Sequence, residues 1–401
     1  MRLRPPLLRA AAAALILVGT AAVLEGAARL AGAELPEWRS TGAGEGVMGP
    51  HPTRLWALSP GARANAGAVA TISALGLRGD PPATPKPEGR LRVLVLGDST
   101  FFGHGVADGA TFPAQLQARL VGEGLDVEVL NGAVPGYSTE QTRIELDELG
   151  WALAPDLLVL GNLWSDNNVD SFRDADLLAT ARMRRENPLF ESHAFRLLVR
   201  GIHALRGGES ARFVTWTQGS RWPETGGRRV PLRRYAENLD AMVREAAARG
   251  IGAALMAPSN VGMTRGKYAP GASWDPYFDA QRRVAAHQGI PLIETLPALR
   301  AAAGDAPRAL YVDAMHPSAK GHAALAEAAD TALRAAGWPE ARLLAAGGVF
   351  AADILVDGHA DDVETTADSP QRSLFDVPAD AAERGSAHPS RNPRNPGFGA
   401  P

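Results

Sequence analysis

"LRVLVLGDSTFFGHGV", residues 91–106, decides the reading of this chain. A run of Val and Leu stops at Gly97-Asp98-Ser99 and enters a loop carrying Phe101, Gly103 and Gly105. The run is apolar throughout instead of alternating, as in a strand buried on both faces of a parallel sheet. Similar runs follow at 127–132 (VEVLNG), 156–161 (DLLVLG), 252–258 (GAALMAP) and 290–295 (IPLIET). Between them lie segments of helical period, among them "TFPAQLQARLVGEG", "STEQTRIELDELG", "LRRYAENLDAMVREAAARG" and "DPYFDAQRRVAAHQG". Strands alternating with helices predict an α/β protein whose parallel sheet is covered on both faces. Ligands of such sheets bind at the carboxyl ends of strands, where Ser99 stands.

A serine nucleophile needs a base. "YVDAMHPS", 311–318, offers His316 with Asp313 three residues before it, close enough for the carboxylate to hold one ring nitrogen. Such a carboxylate fixes the tautomer and supports the imidazolium that forms when the other nitrogen takes the serine proton. Taken alone, the pair reads equally well as a helix-capping Asp beside a surface histidine. Ser318 and the helical spacing after it, ending at Gly337 and Pro339, predict a closing helix.

"GDST" (97–100) and "DAMHP" (313–317), in that order, resemble the first and last blocks of the SGNH branch of GDSL-type serine hydrolases. "VLNGAVPGYST" (129–139) is similar to the second block, whose glycine amide donates to the oxyanion; the match falls on Gly136. The resemblance implies a flavodoxin-like three-layer α/β/α fold with a central parallel sheet of about five strands. It implies Ser99, Asp313 and His316 as the catalytic triad, the Ser99 and Gly136 amides as oxyanion donors, and no cofactor. The third block departs. The family has Asn before Asp, and here "GNLWSDNN" puts Ser165 before Asp166. Ser165 stands at the aligned place as a one-proton donor, with Asn162 or Asn167 as substitutes if the register shifts. Asp98 is expected to fix the turn through backbone hydrogen bonds, without proton transfer. His104 is read as a loop histidine at the pocket mouth.

The chain has 401 residues, 45% of them apolar, and a formal charge of −3, so no electrostatic case exists for nucleic acid. It has no cysteine, which excludes disulfides, thiolate metal sites and a cysteine nucleophile. Asp166, Asn168 and Asp170 alternate as in a calcium loop, but Ser171 and Leu177 stand where Gly and Glu belong. His193, His203 and His287 lack paired ligand spacing, and no metal is expected. Trp151, Trp164, Trp216 and Trp222 read as sugar-stacking or packing residues.

Arg2, Arg4 and Arg9 precede an uncharged stretch from Ala10 to Leu24, so residues 1–34 read as a signal peptide or membrane anchor. Residues 35–90 read as a linker or surface arm, and 91–338 as the hydrolase domain, with 166–230 inserted over its active-site edge. Residues 339–357 read as a short β extension and 358–401 as a disordered tail. The expected protein is an exported serine esterase of the cell envelope, acting on a small-molecule, lipid or glycan ester. An O-acyltransferase on envelope polysaccharide with the same triad, and a non-catalytic envelope binding or scaffold protein, are the alternatives.

Overall fold

The computed structural model describes residues 5–30, 46–170, 173–205, 227–267 and 274–352. A long helix, α1 (Pro5–Leu30), precedes two antiparallel hairpins, β1 (Met48–His51) with β2 (Leu55–Leu58), and β3 (Gly61–Asn65) with β4 (Ala68–Ile72). The body follows: β5 (Leu91–Gly97), α2 (Ser99–Phe102), α3 (Phe112–Gly122), β6 (Val127–Asn131), α4 (Thr139–Glu145), β7 (Leu157–Gly161) and α5 (Trp164–Asn167). An excursion carries β8 (Val169–Asp170), α6 (Asp174–Glu186), α7 (His193–Leu205) and β9 (Gly227–Arg228), with β8 and β9 paired at its base. The chain returns through α8 (Leu232–Ala248), β10 (Gly252–Ala257), α9 (Val261–Thr264), α10 (Asp275–Gln288), β11 (Leu292–Glu294), α11 (Thr295–Ala303) and α12 (Ala319–Ala335).

The central sheet has five parallel strands in the order β11-β10-β7-β5-β6. Counted along the body this is 2-1-3-4-5, the flavodoxin-like order, whose crevice opens where the first and third strands part. Those strands are β5 and β7, in register from Val93↔Leu157 to Gly97↔Gly161. Successive side chains of β5 face opposite ways. Val93 and Val95 join the core under α3, α11 and α12, whereas Leu94 and Leu96 join the core under α8 and α10. Both faces are dry, which is why the strand reads as an unbroken apolar run.

Two boundary expectations change. Residues 46–80 are part of the body instead of a linker: Val47, Met48, Trp56, Leu58, Ala70 and Ile72 are buried in the main core. The alternation in "ARANAGAVATI", with Asn65-Ala66-Gly67 at the turn, is the signal that Gly and Pro content obscured. Residues 339–352 form no strand. They run as a strap along β10 and the end of α10, with Ala253 N–H donating to Leu343 O (3.1 Å) and Ala346 N–H to Gln288 O (2.9 Å). The strap fits because Gly252 lacks a Cβ, which would lie 2.1 Å from Arg342 O. The tail 358–401 lies outside the described residues.

Candidate active site

Ser99 opens α2 directly after β5. Asp98 caps that helix, its Oδ1 accepting from Thr100 N–H at 3.0 Å. Its other oxygen accepts from Trp164 N–H at 3.2 Å, so one buried carboxylate ties the end of β5 to the start of α5. Gly161 makes this possible: a Cβ there would lie 2.3 Å from the Phe101 ring, which packs across the ends of β5 and β7. Asp98 therefore has the turn-fixing place expected for it. Burial pushes its pKa up, against the Thr100 N–H and the nearby His316.

His316 and Asp313 arrive on the turn before α12. Val312 N–H donates to His316 O (2.9 Å) and closes the turn, and Ser318 caps the helix by accepting from Gly321 N–H. His316 Nε2 lies 2.8 Å from Ser99 Oγ, and Nδ1 lies 2.7 Å from Asp313 Oδ2. Asp313 Oδ1 accepts the N–H groups of Met315 (2.8 Å) and His316 (2.7 Å). Burial opposes ionisation of Asp313. The hydrogen bond and charge of the His316 ring, with the two backbone donors, outweigh it and hold the carboxyl well below its ordinary range. An ionised carboxylate only accepts, so Nδ1 carries the proton, and in the neutral ring Nε2 offers its lone pair to the serine hydroxyl. Ser99, His316 and Asp313 thus form one hydrogen-bonded chain at the switch point of the sheet.

Three peptide stretches meet at the end of β5. After β6 the chain runs along the end of β5, with Gly132 N–H on Val95 O (2.9 Å) and Val134 N–H on Gly97 O (3.0 Å). Gly136 follows with φ +79°, a left-handed conformation that favours glycine. Among the described residues, no hydrogen bond occupies the N–H of Ser99 or of Gly136. Ser165 is 5% exposed on α5, and its hydroxyl likewise has no partner among the described residues. Asn162 cannot stand in as a donor. It is fully buried, and its amide donates to Tyr137 O (3.3 Å) and Thr142 Oγ1 (3.0 Å). Asn167 lies two residues beyond Ser165 on α5, about 200° around the helix from it. Asp166 belongs to the scaffold: Oδ1 accepts from Thr139 N–H (2.9 Å) and its hydroxyl (2.5 Å), joining α5 to α4. Trp164 packs edge-on against Trp274 and Phe278 in the core.

The sequence reading missed what holds these loops. Arg78, buried, donates to Phe102 O, Gly103 O and Val106 O at 2.6–2.7 Å and pairs with Asp108 at 2.9 Å. Asn65 donates to Gly103 O and Val106 O and accepts from Gly105 N–H. On the other side, Trp56 Nε1 donates to Pro135 O (3.0 Å), and its ring would lie 3.3 Å from a Cβ on Gly136. The hairpins therefore brace the loops on both flanks of the serine. His104, 8% exposed, stacks on His316 with ring centroids 4.5 Å apart. Burial, then the His316 and Arg78 charges, push its pKa down to about 4, so it is neutral at ordinary pH. His104, Asp313 and His316 are the group, among the described residues, whose ligand atoms approach closely enough to share a cation, all within 4.8 Å.

With this geometry in view, the profile of the GDSL-like Lipase/Acylhydrolase family matches residues 95–324, from within β5 to within α12. Three solved structures are similar. LAE5, an alpha/beta hydrolase enzyme from the metagenome of Lake Arreo, is 20% identical over 62% of this chain and 95% of its own, with TM-score 0.40. Axe2, an acetylxylan esterase from Geobacillus stearothermophilus, is 18% identical over 62% and 94%, with TM-score 0.40. The lipase/acylhydrolase from Enterococcus faecalis is 16% identical over 61% and 96%, with TM-score 0.40. No match was found among curated proteins. The family profile spans more than half of the chain and takes in the serine, both loops and the Asp–His turn, so the chain belongs to the GDSL-like lipase/acylhydrolase family and is a carboxylic ester hydrolase.

Proposed function

We propose that this protein is a membrane-anchored serine esterase that works through an acyl-serine intermediate on an ester of the cell envelope, borne on glycan or lipid. The observation that supports the mechanism best is the chain Asp313–His316–Ser99, with distances of 2.7 and 2.8 Å, at the carboxyl end of β5. Ser99 Oγ attacks the carbonyl carbon while His316 Nε2 takes its proton, and Asp313 stabilises the resulting imidazolium. The carbonyl oxygen becomes an oxyanion that accepts from the Ser99 and Gly136 amides, with the Ser165 hydroxyl as third donor. The intermediate collapses, the bond to the alkoxy oxygen breaks, and His316 returns the proton to the departing alcohol. Water then attacks the acyl-serine with His316 again as base, releasing the acid and restoring Ser99.

Localisation is argued from α1. Ala12–Leu30 has mean hydropathy 1.6 and is 6% buried, long and apolar enough by composition to cross a membrane. The arginines before it favour an orientation that sends the body across.

The test is hydrolysis of p-nitrophenyl acetate by the full chain in detergent, beside Ser99→Ala, with labelling by a fluorophosphonate. Turnover and labelling that both vanish in Ser99→Ala support the acyl-serine. Equal rates and no labelling overturn it and favour the binding-protein alternative. Acyl transfer to added sugar hydroxyls at the expense of hydrolysis identifies the transferase.

A further inference from the structure

The excursion after β8 is unlike the rest of the molecule. Most large apolar side chains of the body are buried, yet here Met183 (51%), Leu189 (56%), Leu198 (59%) and Ile202 (40%) face outward. On α7, Leu198 and Ile202 are four apart and share one side of the helix, while Arg196, two residues before Leu198, falls about 200° away from it. Phe195 turns inward onto Phe190, with ring centroids 5.1 Å apart. A helix with an exposed apolar side and a basic residue opposite is suited to lie in the plane of a bilayer surface. Residues 182–205 carry five arginines and two glutamates, which suits anionic headgroups.

The position of α1 supplies the second observation. From Leu15 to Leu24 its large side chains stand free of the body, with Leu15, Ile16, Leu17, Val18 and Val23 between 67% and 73% exposed. Contact begins at Glu25 and includes the buried Ala28. The uncharged stretch from Ala10 to Leu24 rises about 22 Å between Arg9 and Glu25, a short span whose charged ends are drawn to the two headgroup regions, so Glu25 marks the surface where the helix emerges. Its carboxylate sits on the first turn of α7, accepting from Ser192 Oγ (2.7 Å), His193 N–H (3.1 Å) and Ala194 N–H (3.1 Å). An anion at a helix N-terminus satisfies donors left open by the helix and complements its dipole. The first turn of α7 is therefore held at the point where the apolar span ends.

We infer that α7 is an interfacial helix: its Leu198–Ile202 side rests in an anionic phospholipid surface, docked to the emerging anchor by Glu25. The inference rests on the anchor reading of α1. It places the excursion, and with it the α5 edge of the site, against the bilayer, and it gives Glu25 a purpose that a cleaved leader lacks.

The chain has no cysteine, so a single Cys gives one labelled site. Leu198→Cys, Leu17→Cys and the exposed α3 position Val121→Cys are labelled with an environment-sensitive fluorophore in the full chain. Each is reconstituted in vesicles of phosphatidylethanolamine and phosphatidylglycerol, with ester hydrolysis checking the body. The expected result is blue-shifted emission at 17 and 198, quenched severalfold by spin-labelled lipid and shielded from iodide, with the reverse at 121. Lipid quenching at 17 with iodide quenching at 198 overturns the role of α7 and leaves the anchor standing. Iodide quenching at both positions overturns the anchor, and the inference with it. In Glu25→Ala, position 198 is expected to lose lipid quenching while 17 keeps it; an unchanged signal at 198 overturns the docking role of Glu25.

Discussion

Ser165, proposed as the third oxyanion donor in place of the family's Asn, has a measurable consequence. A hydroxyl donates one proton, and the nearby Asn162 has both amide protons engaged elsewhere. Ser165→Ala is expected to lower kcat by about 10²–10³ with little change in KM, because the donor acts on charge that develops in the transition state. Asn162→Ala, by contrast, should act mainly on stability. Asp313→Asn should cost about 10⁴ in kcat, since the amide removes the negative charge and can donate to Nδ1, favouring the tautomer whose Nε2 cannot take the serine proton. A second consequence concerns acid. His322 is fully buried, and its Nδ1 accepts from Phe112 N–H at 3.1 Å; burial, then the Arg78 and His316 charges, push its pKa down to about 3. His104 shifts the same way. Between these values and the ordinary histidine pKa the unfolded chain binds more protons, so this stability is complete above about pH 6.5 and drains as pH falls. The melting temperature is expected to drop from pH 7 to about 5, and to drop less in His322→Gln; equal slopes would remove His322 from the explanation.

Strands and helices of the body were legible because their burial is simple. A strand dry on both faces must be apolar, and β7 and β10 meet that demand at every position, while β5 departs from it only at Arg92 and the edge strand β6 at Glu128 and Asn131. Ser99, Asp313 and His316 were legible because each sits at a strand or helix end within a short motif. The hairpins were not, since their strands are four or five residues long and their short alternation is submerged in a stretch rich in Gly, Pro and Ala. Arg78 and Asn65 were illegible for another reason: apart from Asp108 their partners are backbone groups of a distant loop, and backbone leaves no mark in composition. Arg78→Ala should therefore cost at least about 2 kcal/mol, through lost charge-assisted bonds, and lower kcat as the loop beside Ser99 loosens. Urea unfolding and ester hydrolysis measure the two effects. Gly161→Ala is expected to destabilise by about 1–3 kcal/mol and to impair turnover, because the new methyl group meets the Phe101 ring under α2.

For the whole molecule, the hairpins make the catalytic unit larger than the family profile, which begins at residue 95. A chain beginning at residue 91 loses Trp56, Leu58, Ile72 and Arg78 from the interior, whereas one beginning at 46 keeps them. The shorter chain is expected to aggregate or melt far lower, and the longer to remain a soluble esterase, as thermal unfolding of the two will show.

Ser99 and His316 are 217 residues apart in sequence. Until the turn before α12 docks, Ser99 is an ordinary alcohol with no base. A nascent or partly threaded chain is therefore chemically inert. With the body carried across a membrane, as proposed from α1, the span between nucleophile and base acts as a delay, and the reactive serine exists only where folding finishes.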